Sequence, residues 1–222
     1  MFVIILTRDM DTRSFEKINE FFLSGKRIAY KKSEVIIRSS DEPTGVYFVK
    51  KGHVKMSTIL EDGTEVAVNI FKPGSYFPMT WAIANIENNY FYRSMEDTVT
   101  YRVAKNEFLK FIKSSPVILY DLTIRILTGL DGMLFVTNQL LHSSSLRKVA
   151  TIILMMSKRF GIQNENGDTE IYLQLTHQDL AHFVGLSRET VSLAFDKLKK
   201  KGLVTQVKRK IVIKNKERLE QI

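Results

Sequence analysis

Residues Leu175–Val204, LTHQDLAHFVGLSRETVSLAFDKLKKKGLV, predict two short helices joined by a tight turn. Thr176 and Ser187 are typical helix caps, because their hydroxyl groups can accept hydrogen bonds from backbone N–H groups. Gly185 permits the left-handed backbone of a turn, and Gly202 can end the second helix. In a helix-turn-helix of this size the second helix lies in the major groove of DNA. The stretch therefore predicts a DNA-binding motif, with an ordinary helical hairpin as the alternative.

The outward face of the second helix carries side chains suited to reading base edges. Arg188 can donate two hydrogen bonds to guanine, and Glu189 can accept one from cytosine N4. Ser192 lies one turn further along the same face. Residues near the start of such a helix reach the bases, so these three are the predicted base-reading residues.

A basic β-hairpin is predicted after the second helix. Residues 203–207 and 211–213 alternate roughly with period two, as strands do. A basic hairpin beside a recognition helix is typical of a winged helix, and the preceding basic run at 199–201 favours that interpretation over an ordinary turn. The predicted tip of the wing consists of Lys208, Arg209 and Lys210.

Positive charge is concentrated around this motif. The formal net charge is +9, and residues 143–222 hold 15 Lys and Arg against 8 Asp and Glu. Residues 1–142 hold 18 against 16. This distribution favours a polyanion such as double-stranded DNA. An anionic membrane is not expected as a partner, because no basic amphipathic helix or lipidation motif is present.

Composition excludes several classes of protein. The chain has no cysteine, which excludes disulfides, thiolate redox switches and a cysteine-ligated iron–sulfur cluster. The apolar run after Met1, FVIIL, is too short for a membrane span or a signal peptide, so we expect a cytoplasmic protein. At 222 residues the chain is long enough for two modest domains.

The segment from Ile28 to Ala104 predicts a compact β domain preceded by a short amphipathic helix at 13–25. Turn dipeptides such as Asp62-Gly63 and Pro73-Gly74 separate short apolar segments. Many short strands at regular spacing are typical of a sandwich or jelly roll. The predicted strands are residues 35–38, 46–50, 54–60, 65–71, 90–94 and 98–103.

A long helix is predicted from Pro116 to about His142, after a shorter helix at 105–113. Its apolar residues recur in alternating steps of three and four, which is the heptad pattern of a coiled coil. A second apolar face, from Tyr120 to Leu141, could pack on the β domain. Burial inside one domain is the alternative to a parallel dimer. The predicted dimer seam consists of Leu119, Leu122, Ile126, Gly129, Met133, Val136 and Leu140.

These elements give an α+β chain in three parts. Residues 1–113 form a β-roll or jelly-roll sensor domain, residues 114–142 form the dimerisation helix, and residues 143–222 form a winged helix-turn-helix domain.

In this order the elements resemble the CRP/FNR family of bacterial transcription regulators over essentially the whole chain. The segments GVYFVKKGHVKM (45–56) and EDGTEVAVNIFKPGSYF (61–77) are similar to the family's cyclic-nucleotide-binding-type β-roll. GLSRETVS (185–192) closely matches the family's recognition-helix motif, which is specific. The resemblance implies a homodimer that binds a palindromic promoter site and activates or represses transcription in response to a signal, with RNA polymerase as a further partner.

The resemblance also implies roles for individual residues. Arg188 and Glu189 would read bases, while Ser187 and Thr190 would hold phosphates. Beside them, the first helix would contribute Thr176, His177 and Gln178.

Two departures from the family pattern affect these implications. Leu193 stands where members commonly carry another arginine, which suggests a thymine methyl contact instead. Members that bind cyclic AMP have a Gly-Glu pair before an Arg-Ser pair, and this chain keeps only the second pair, so a cyclic nucleotide is not expected. The candidate effector residues, with an anion as the ligand suited to the arginine, are Gly74, Ser75, Tyr76, Arg93, Ser94, Gly132 and Met133.

No catalytic or metal site is predicted. The four histidines, His53, His142, His177 and His182, show no metal-ligand spacing, and no glycine loop suited to phosphate is present. Three hypotheses follow: a signal-gated transcription regulator, a constitutive DNA-binding regulator with a ligand-free β domain, and an enzyme or sensor that does not bind DNA. The sequence names neither the effector, which is unknown, nor the operator.

Overall fold

The computed structural model describes residues 12–141 and 143–222, with the backbone alone described at residues 12–14 and 140. The described chain forms two compact units, one that ends at Ile124 and one that runs from Arg125 to Ile222. The division falls inside the long helix, whereas the sequence predicted boundaries at residues 113 and 142. The start of the predicted first domain, residues 1–11, lies outside the described residues, as does His142.

The first unit is a β-roll with helices before and after it, as the short apolar segments predicted. Two antiparallel sheets have the strand orders β1-β8-β3-β6 and β2-β7-β4-β5. The sequence did not predict β1, β6 or α2, because these elements are short and lack a clear apolar alternation. The elements are α1 (Thr12–Leu23), β1 (Lys26–Tyr30), β2 (Val35–Ile37), β3 (Val46–Lys51), β4 (Val54–Ile59), β5 (Glu65–Phe71), β6 (Tyr76–Phe77), α2 (Met79–Ala84), β7 (Phe91–Ser94), β8 (Thr98–Val103), α3 (Lys105–Ser114) and the start of α4 (Pro116–Leu141).

Two apolar clusters stabilise the first unit. Between the sheets, the ring of Phe77 stacks on those of Tyr47 and Tyr92, with centroid distances of 5.6 and 4.8 Å. The second cluster joins the helices to the β-roll and includes Ile118 and Leu122, one turn apart on α4. Burial of an aliphatic side chain contributes roughly 1.5–3 kcal/mol. The first turns of α4 therefore belong to the core of this unit.

The second unit is a winged helix-turn-helix domain, which confirms the predicted class. Its sheet has the strand order β11-β12-β10-β9, and side chains from α5, α6 and α7 fill its core. The sequence did not predict β9 and β10, which have three residues each. The elements after α4 are α5 (Ser145–Phe160), β9 (Gly161–Gln163), β10 (Thr169–Ile171), α6 (His177–Val184), α7 (Arg188–Lys200), β11 (Val204–Val207), β12 (Lys210–Ile213) and α8 (Lys216–Glu220).

Candidate nucleic-acid interface and effector site

The start of α6 is fixed by a reciprocal pair of hydrogen bonds. Thr176 Oγ1 accepts a bond from the Asp179 N–H at 3.0 Å, and Asp179 Oδ2 accepts one from the Thr176 N–H at 2.9 Å. The helix ends at Gly185, whose φ of 63° lies in the left-handed region. A side chain there would strain the backbone, so glycine allows the chain to turn sharply into α7.

The start of α7 is also capped, by a single hydrogen bond, and its first turn is open. Ser187 Oγ accepts a hydrogen bond from the Thr190 N–H at 3.2 Å. The side chains of Arg188 and Glu189 are exposed, and Ser192 is half-buried beside them. The opposite face is buried in the core through Val191, Ala194, Phe195 and Leu198. The structure therefore brings the three predicted base-reading residues together at the start of an outward-facing helix.

The predicted residues of the first helix differ in what they can contact. The hydroxyl of Thr176 is used by the helix cap, while Gln178 is exposed and lies 2.7 Å from His182 Nε2 through its side-chain amide. The ring of His177 packs on Phe195, with 4.9 Å between centroids. Thr176 and Gln178 are therefore both exposed, but the hydroxyl of Thr176 is already engaged in the helix cap.

The predicted place of His177 in the DNA interface stays a prediction, and the structure shows its ring half-buried against Phe195. Its Nε2 atom is buried and has no hydrogen-bond partner in the part of the chain that the structure describes. Burial lowers the pKa of His177, and the charge of Arg188 lowers it too, while Asp196 raises it. The ring of His177 thus takes part in the packing between α6 and α7.

The wing is a tight hairpin between β11 and β12. Lys208 and Arg209 form its two-residue turn, and both are exposed with positive φ values of 47° and 67°. A two-residue hairpin turn of this hand requires positive φ at both positions. The sequence predicted Lys210 at the tip, but it is the first residue of β12. Its Nζ donates to Glu170 Oε1 at 2.7 Å. Two of the three predicted wing cations therefore remain open to a partner.

The long helix α4 leaves a broad apolar surface uncovered in the single chain. No helix among residues 12–141 and 143–222 has both the length and the apolarity that crossing a membrane requires. A contiguous exposed apolar surface of this kind instead marks an interaction site. We call it the α4 stripe, and its members are Leu119, Ile126, Leu127, Leu130, Met133 and Leu134.

The α4 stripe corrects the predicted seam in part. Leu119, Ile126 and Met133 lie on it, but Leu122 is only 4% exposed and belongs to the core of the first unit. Gly129 is exposed, Val136 is half-buried, and the side chain of Leu140 lies outside the described residues.

Of the predicted second apolar face, Ile124 is half-buried, whereas Tyr120, Leu127, Leu134 and Leu141 are exposed. Leu130, which the predicted seam did not include, also lies on the α4 stripe. A count at 100° per residue from Leu119 places Leu130 on the same face, and that was the available signal.

The predicted effector residues of the β5–β6 turn are tied to strand β3. The Gly74 N–H donates to the carbonyl oxygen of Val49, and the carbonyl oxygen of Ser75 accepts from the Val49 N–H at 2.8 Å. Tyr76 is buried, with its ring 5.7 Å from Phe22 and 5.8 Å from Phe108. These contacts belong to the core and hold the turn in place.

Arg93 and Ser94 are engaged elsewhere, on the sheet that contains β7. Tyr92 points into the core at 2% exposure, so the alternation of the strand turns Arg93 to the opposite face. There its Nη1 donates to the carbonyl oxygen of Ser33 at 3.1 Å. Ser94 is buried, and its Oγ donates to the carbonyl oxygens of Lys31 and Glu34. The described contacts of Arg93 and Ser94 are thus with residues 31–34, those of Gly74 and Ser75 are with Val49, and the predicted effector role of these residues stays a prediction.

The remaining two effector candidates lie on α4. Gly132 is buried, whereas Met133 is exposed as part of the α4 stripe. Glycine has no side chain, and the side chain of methionine carries no hydroxyl or charged group. Neither residue therefore offers a ligand a strong polar side-chain contact.

Two family models match the chain on the residues that form these units. The model described as a cyclic nucleotide-binding domain matches residues 27–115, and the one described as a Crp-like helix-turn-helix domain matches residues 147–222. Together they cover the β-roll and the winged helix-turn-helix domain, with α4 between them.

Curated relatives are similar over most of their length. The chain is 25% identical to the global nitrogen regulator of Synechocystis sp. over 198 residues, 86% of each chain. It is 27% identical to the nitrogen fixation regulation protein FixK of Bradyrhizobium diazoefficiens over 210 residues, which is 93% of this chain and 85% of the relative.

Solved structures show the same fold. A CooA mutant from Carboxydothermus hydrogenoformans superposes with a TM-score of 0.80 at 20% identity, over 98% of each chain. A CRP/FNR-family transcriptional regulator from Thermus thermophilus gives 0.70 at 23% identity, over 88% of this chain and 97% of that one. Since both family models match in the observed order of the domains, the chain belongs to the CRP/FNR family of transcription regulators.

Proposed function

We propose that this regulator binds a palindromic DNA site as a homodimer and controls transcription there in response to a signal. The observation that carries the proposal is the first turn of α7, where Arg188 and Glu189 are exposed on a helix whose start is fixed by Ser187. Arginine and glutamate at this end of a recognition helix can discriminate guanine and cytosine by their hydrogen-bonding groups.

The basic surface around α7 supports contact with the phosphate backbone. Exposed lysines lie in the last turn of the helix at Lys197, Lys199 and Lys200, and the wing adds Lys208 and Arg209. Each phosphate neutralised by such a cation releases counterions, so affinity falls steeply as salt rises. DNA binding at two ionic strengths therefore gives an independent check on the number of phosphate contacts.

The α4 stripe supports the homodimer. A second copy of the same helix would cover the exposed side chains of Ile126, Leu130 and Met133 and bury apolar surface on both subunits. A symmetric dimer presents two recognition helices to two half-sites whose centres lie about one helical turn apart. This arrangement explains why the site is proposed to be palindromic.

Selection of bound duplexes from a random pool tests the proposal. We expect an enriched inverted repeat whose half-site centres are separated by about 10–10.5 base pairs or a multiple of that spacing. A pool with no enriched sequence, or an enriched single half-site without symmetry, would contradict sequence-specific binding by a dimer. Sedimentation of the protein with the selected duplex gives the stoichiometry directly.

We propose further that the signal is not a cyclic nucleotide. The segment Ser75-Tyr76-Phe77-Pro78-Met79 follows Gly74 without the glutamate that would bind a ribose, and Arg93 already binds the carbonyl oxygen of Ser33. The stacked rings of Phe77 and Tyr92 also fill space between the two sheets. These residues do not fit the nucleotide that the β-roll family model implies.

Thermal unfolding with added ligands tests this second proposal. Because a ligand at 100 times its Kd stabilises the native state by about 2.7 kcal/mol, binding is visible as a rise in melting temperature. We expect no rise with cyclic AMP or cyclic GMP and a rise with a fraction of cell extract that also changes DNA affinity. A rise with either nucleotide contradicts the proposal, and DNA affinity that no extract fraction changes contradicts gating by a signal.

RNA polymerase is the proposed partner at the promoter. The support is membership in a family of transcription regulators. Transcription in vitro from a promoter that contains the selected site is expected to change when the regulator is added. Unchanged transcript at saturating regulator would contradict this part of the proposal.

A further inference from the structure

We propose that Leu193 recognises the C5-methyl group of a thymine in each half-site, an inference that rests on the proposed DNA binding. Leu193 is 65% exposed on α7, in contrast to the residues on either side of it in the helix. Ala194 and Phe195 are buried in the core, and Ser192 is half-buried beside the base-reading residues.

The position of Leu193 on the helix is what points to DNA. It lies one turn after Glu189, so the two side chains are neighbours on the outward face. The buried side chains of Val191 and Leu198 are on the opposite face. If α7 enters the major groove with Arg188 and Glu189 at base edges, Leu193 faces the floor of the same groove.

The surroundings of Leu193 separate it from the apolar core. Asp196, Lys197 and Lys200 are exposed around it, so the leucine is an isolated apolar group on a polar surface. Single exposed apolar residues are common and need no explanation by themselves. Leu193, however, lies on the face that the proposed function places against DNA. One turn earlier on that face the side chains, Arg188 and Glu189, are polar.

The chemistry of the major groove leaves one good partner for such a side chain. Guanine, adenine and cytosine present hydrogen-bonding groups there, and thymine alone adds a methyl group. An apolar side chain gains by contact with that methyl and gains nothing from an unpaired amino group or carbonyl. Leu193 would therefore favour thymine over cytosine at one position of the half-site.

Deoxyuridine provides a sharp test, because it removes the methyl group and keeps every hydrogen bond of thymine. Duplex selections with the natural chain and with Leu193→Ala identify the position whose preference depends on Leu193. At that position we expect replacement of thymine by deoxyuridine to weaken binding by the natural chain about fourfold, the effect of one buried methyl-sized group. Leu193→Ala should bind both duplexes equally.

Two controls keep the result interpretable. Ile162→Ala removes a comparably exposed apolar side chain from β9 of the same unit, and it should retain the natural preference for thymine. Replacement of cytosine by 5-methylcytosine at the same position should restore part of the lost affinity for the natural chain. Because Leu193 is exposed, its replacement leaves the core of the domain intact.

The outcomes separate this inference from the proposed function. If no sequence is enriched by the natural chain, the proposed DNA binding fails and the inference falls with it. If a palindrome is enriched but deoxyuridine binds as well as thymine, the inference alone is overturned. If Leu193→Ala changes binding to another protein and leaves DNA preference unchanged, Leu193 belongs to a protein contact and the inference is also overturned.

Discussion

The arginine on helix α7 is exposed, whereas the arginine on strand β7 is hydrogen-bonded within the fold. Arg188 is exposed at the first turn of α7. The Ser187 cap fixes the start of that helix and leaves the Arg188 side chain open to a partner. Arg93 donates to the carbonyl oxygen of Ser33, and its neighbour Ser94 is buried against main-chain oxygens. The same type of side chain is therefore available for a ligand in one unit and used by the fold in the other. The difference shows that a binding role depends on what the backbone leaves open.

Helix α4 contains the same contrast within one element. Leu122 is buried in the core of the first unit, whereas Ile126, one turn later, is 51% exposed on the α4 stripe. The first residue therefore stabilises the single chain, and the second is available to stabilise an assembly.

The largest expected effect follows from a charge on the α4 stripe. Ile126→Glu should convert the dimer to a monomer, because it loses roughly 1.5–3 kcal/mol of apolar burial in each subunit and brings two like charges together. Analytical ultracentrifugation measures the change in mass. Asp131→Lys, on the exposed surface of the same helix about 140° from Ile126 at 100° per residue, is the control and should leave the dimer intact. An Ile126→Glu protein that still sediments as a dimer would place the interface elsewhere.

Truncation of Leu122 should instead destabilise the first unit. Leu122→Ala leaves a cavity in its core and is expected to lower the free energy of unfolding by roughly 2–5 kcal/mol. The control Ile59→Ala removes an apolar side chain that is exposed in the same unit, and it should cost no more than about 0.5 kcal/mol. Urea unfolding measures both values. Equal effects of the two substitutions would mean that Leu122 is not a core residue.

Substitutions of Arg188 and Arg93 should have different effects in DNA selection. Arg188→Ala is expected to lose roughly 1–3 kcal/mol of discrimination at one base pair of each half-site. Arg93→Ala should leave the selected sequence unchanged, because Arg93 binds a main-chain oxygen in the other unit. Arg218→Ala, exposed on α8, is the control within the DNA-binding unit. A selected sequence that Arg93→Ala alters and Arg188→Ala does not would reverse the contrast between α7 and β7.

The smallest effect concerns pH and the packing between α6 and α7. Burial lowers the pKa of His177 below its ordinary value of 6.5, so the unfolded chain binds the proton more readily than the folded one. His177 therefore contributes its full stability above about pH 6.5, and this contribution is lost as pH falls through the folded pKa. Urea unfolding of the natural chain and of His177→Phe across this range should show a shallower pH dependence for the variant. Identical slopes would mean that the ring is solvated in the folded protein.

The sequence predicted α6 and α7 well because their determinants are local. Thr176 and Asp179 are three residues apart, as are Ser187 and Thr190, so each cap can be identified without knowledge of the rest of the fold. The left-handed turn at Gly185 is likewise set by one residue. The outward direction of Arg188 and Glu189 then follows from helical periodicity alone.

The sequence could not place residues whose surroundings are distant in sequence. The direction of Arg93 depends on Tyr92 packing against Phe77, which lies on the facing sheet. Lys210 was placed one residue too far into the turn, and its partner Glu170 lies 40 residues away. Leu122 fits a heptad as well as it fits a core, and only the fold of the first unit decides between them. Patterns within one element could not supply these contacts.

Arg188 is expected to hold a guanine in the major groove, and atomic substitution in the DNA probes that contact itself. Replacing that guanine by 7-deazaguanine removes the N7 acceptor and leaves base pairing intact. We expect the natural chain to bind the substituted duplex more weakly, and Arg188→Ala to bind both duplexes with the same affinity. If no guanine in the selected site shows this coupling to Arg188, the account of α7 as the recognition helix is contradicted.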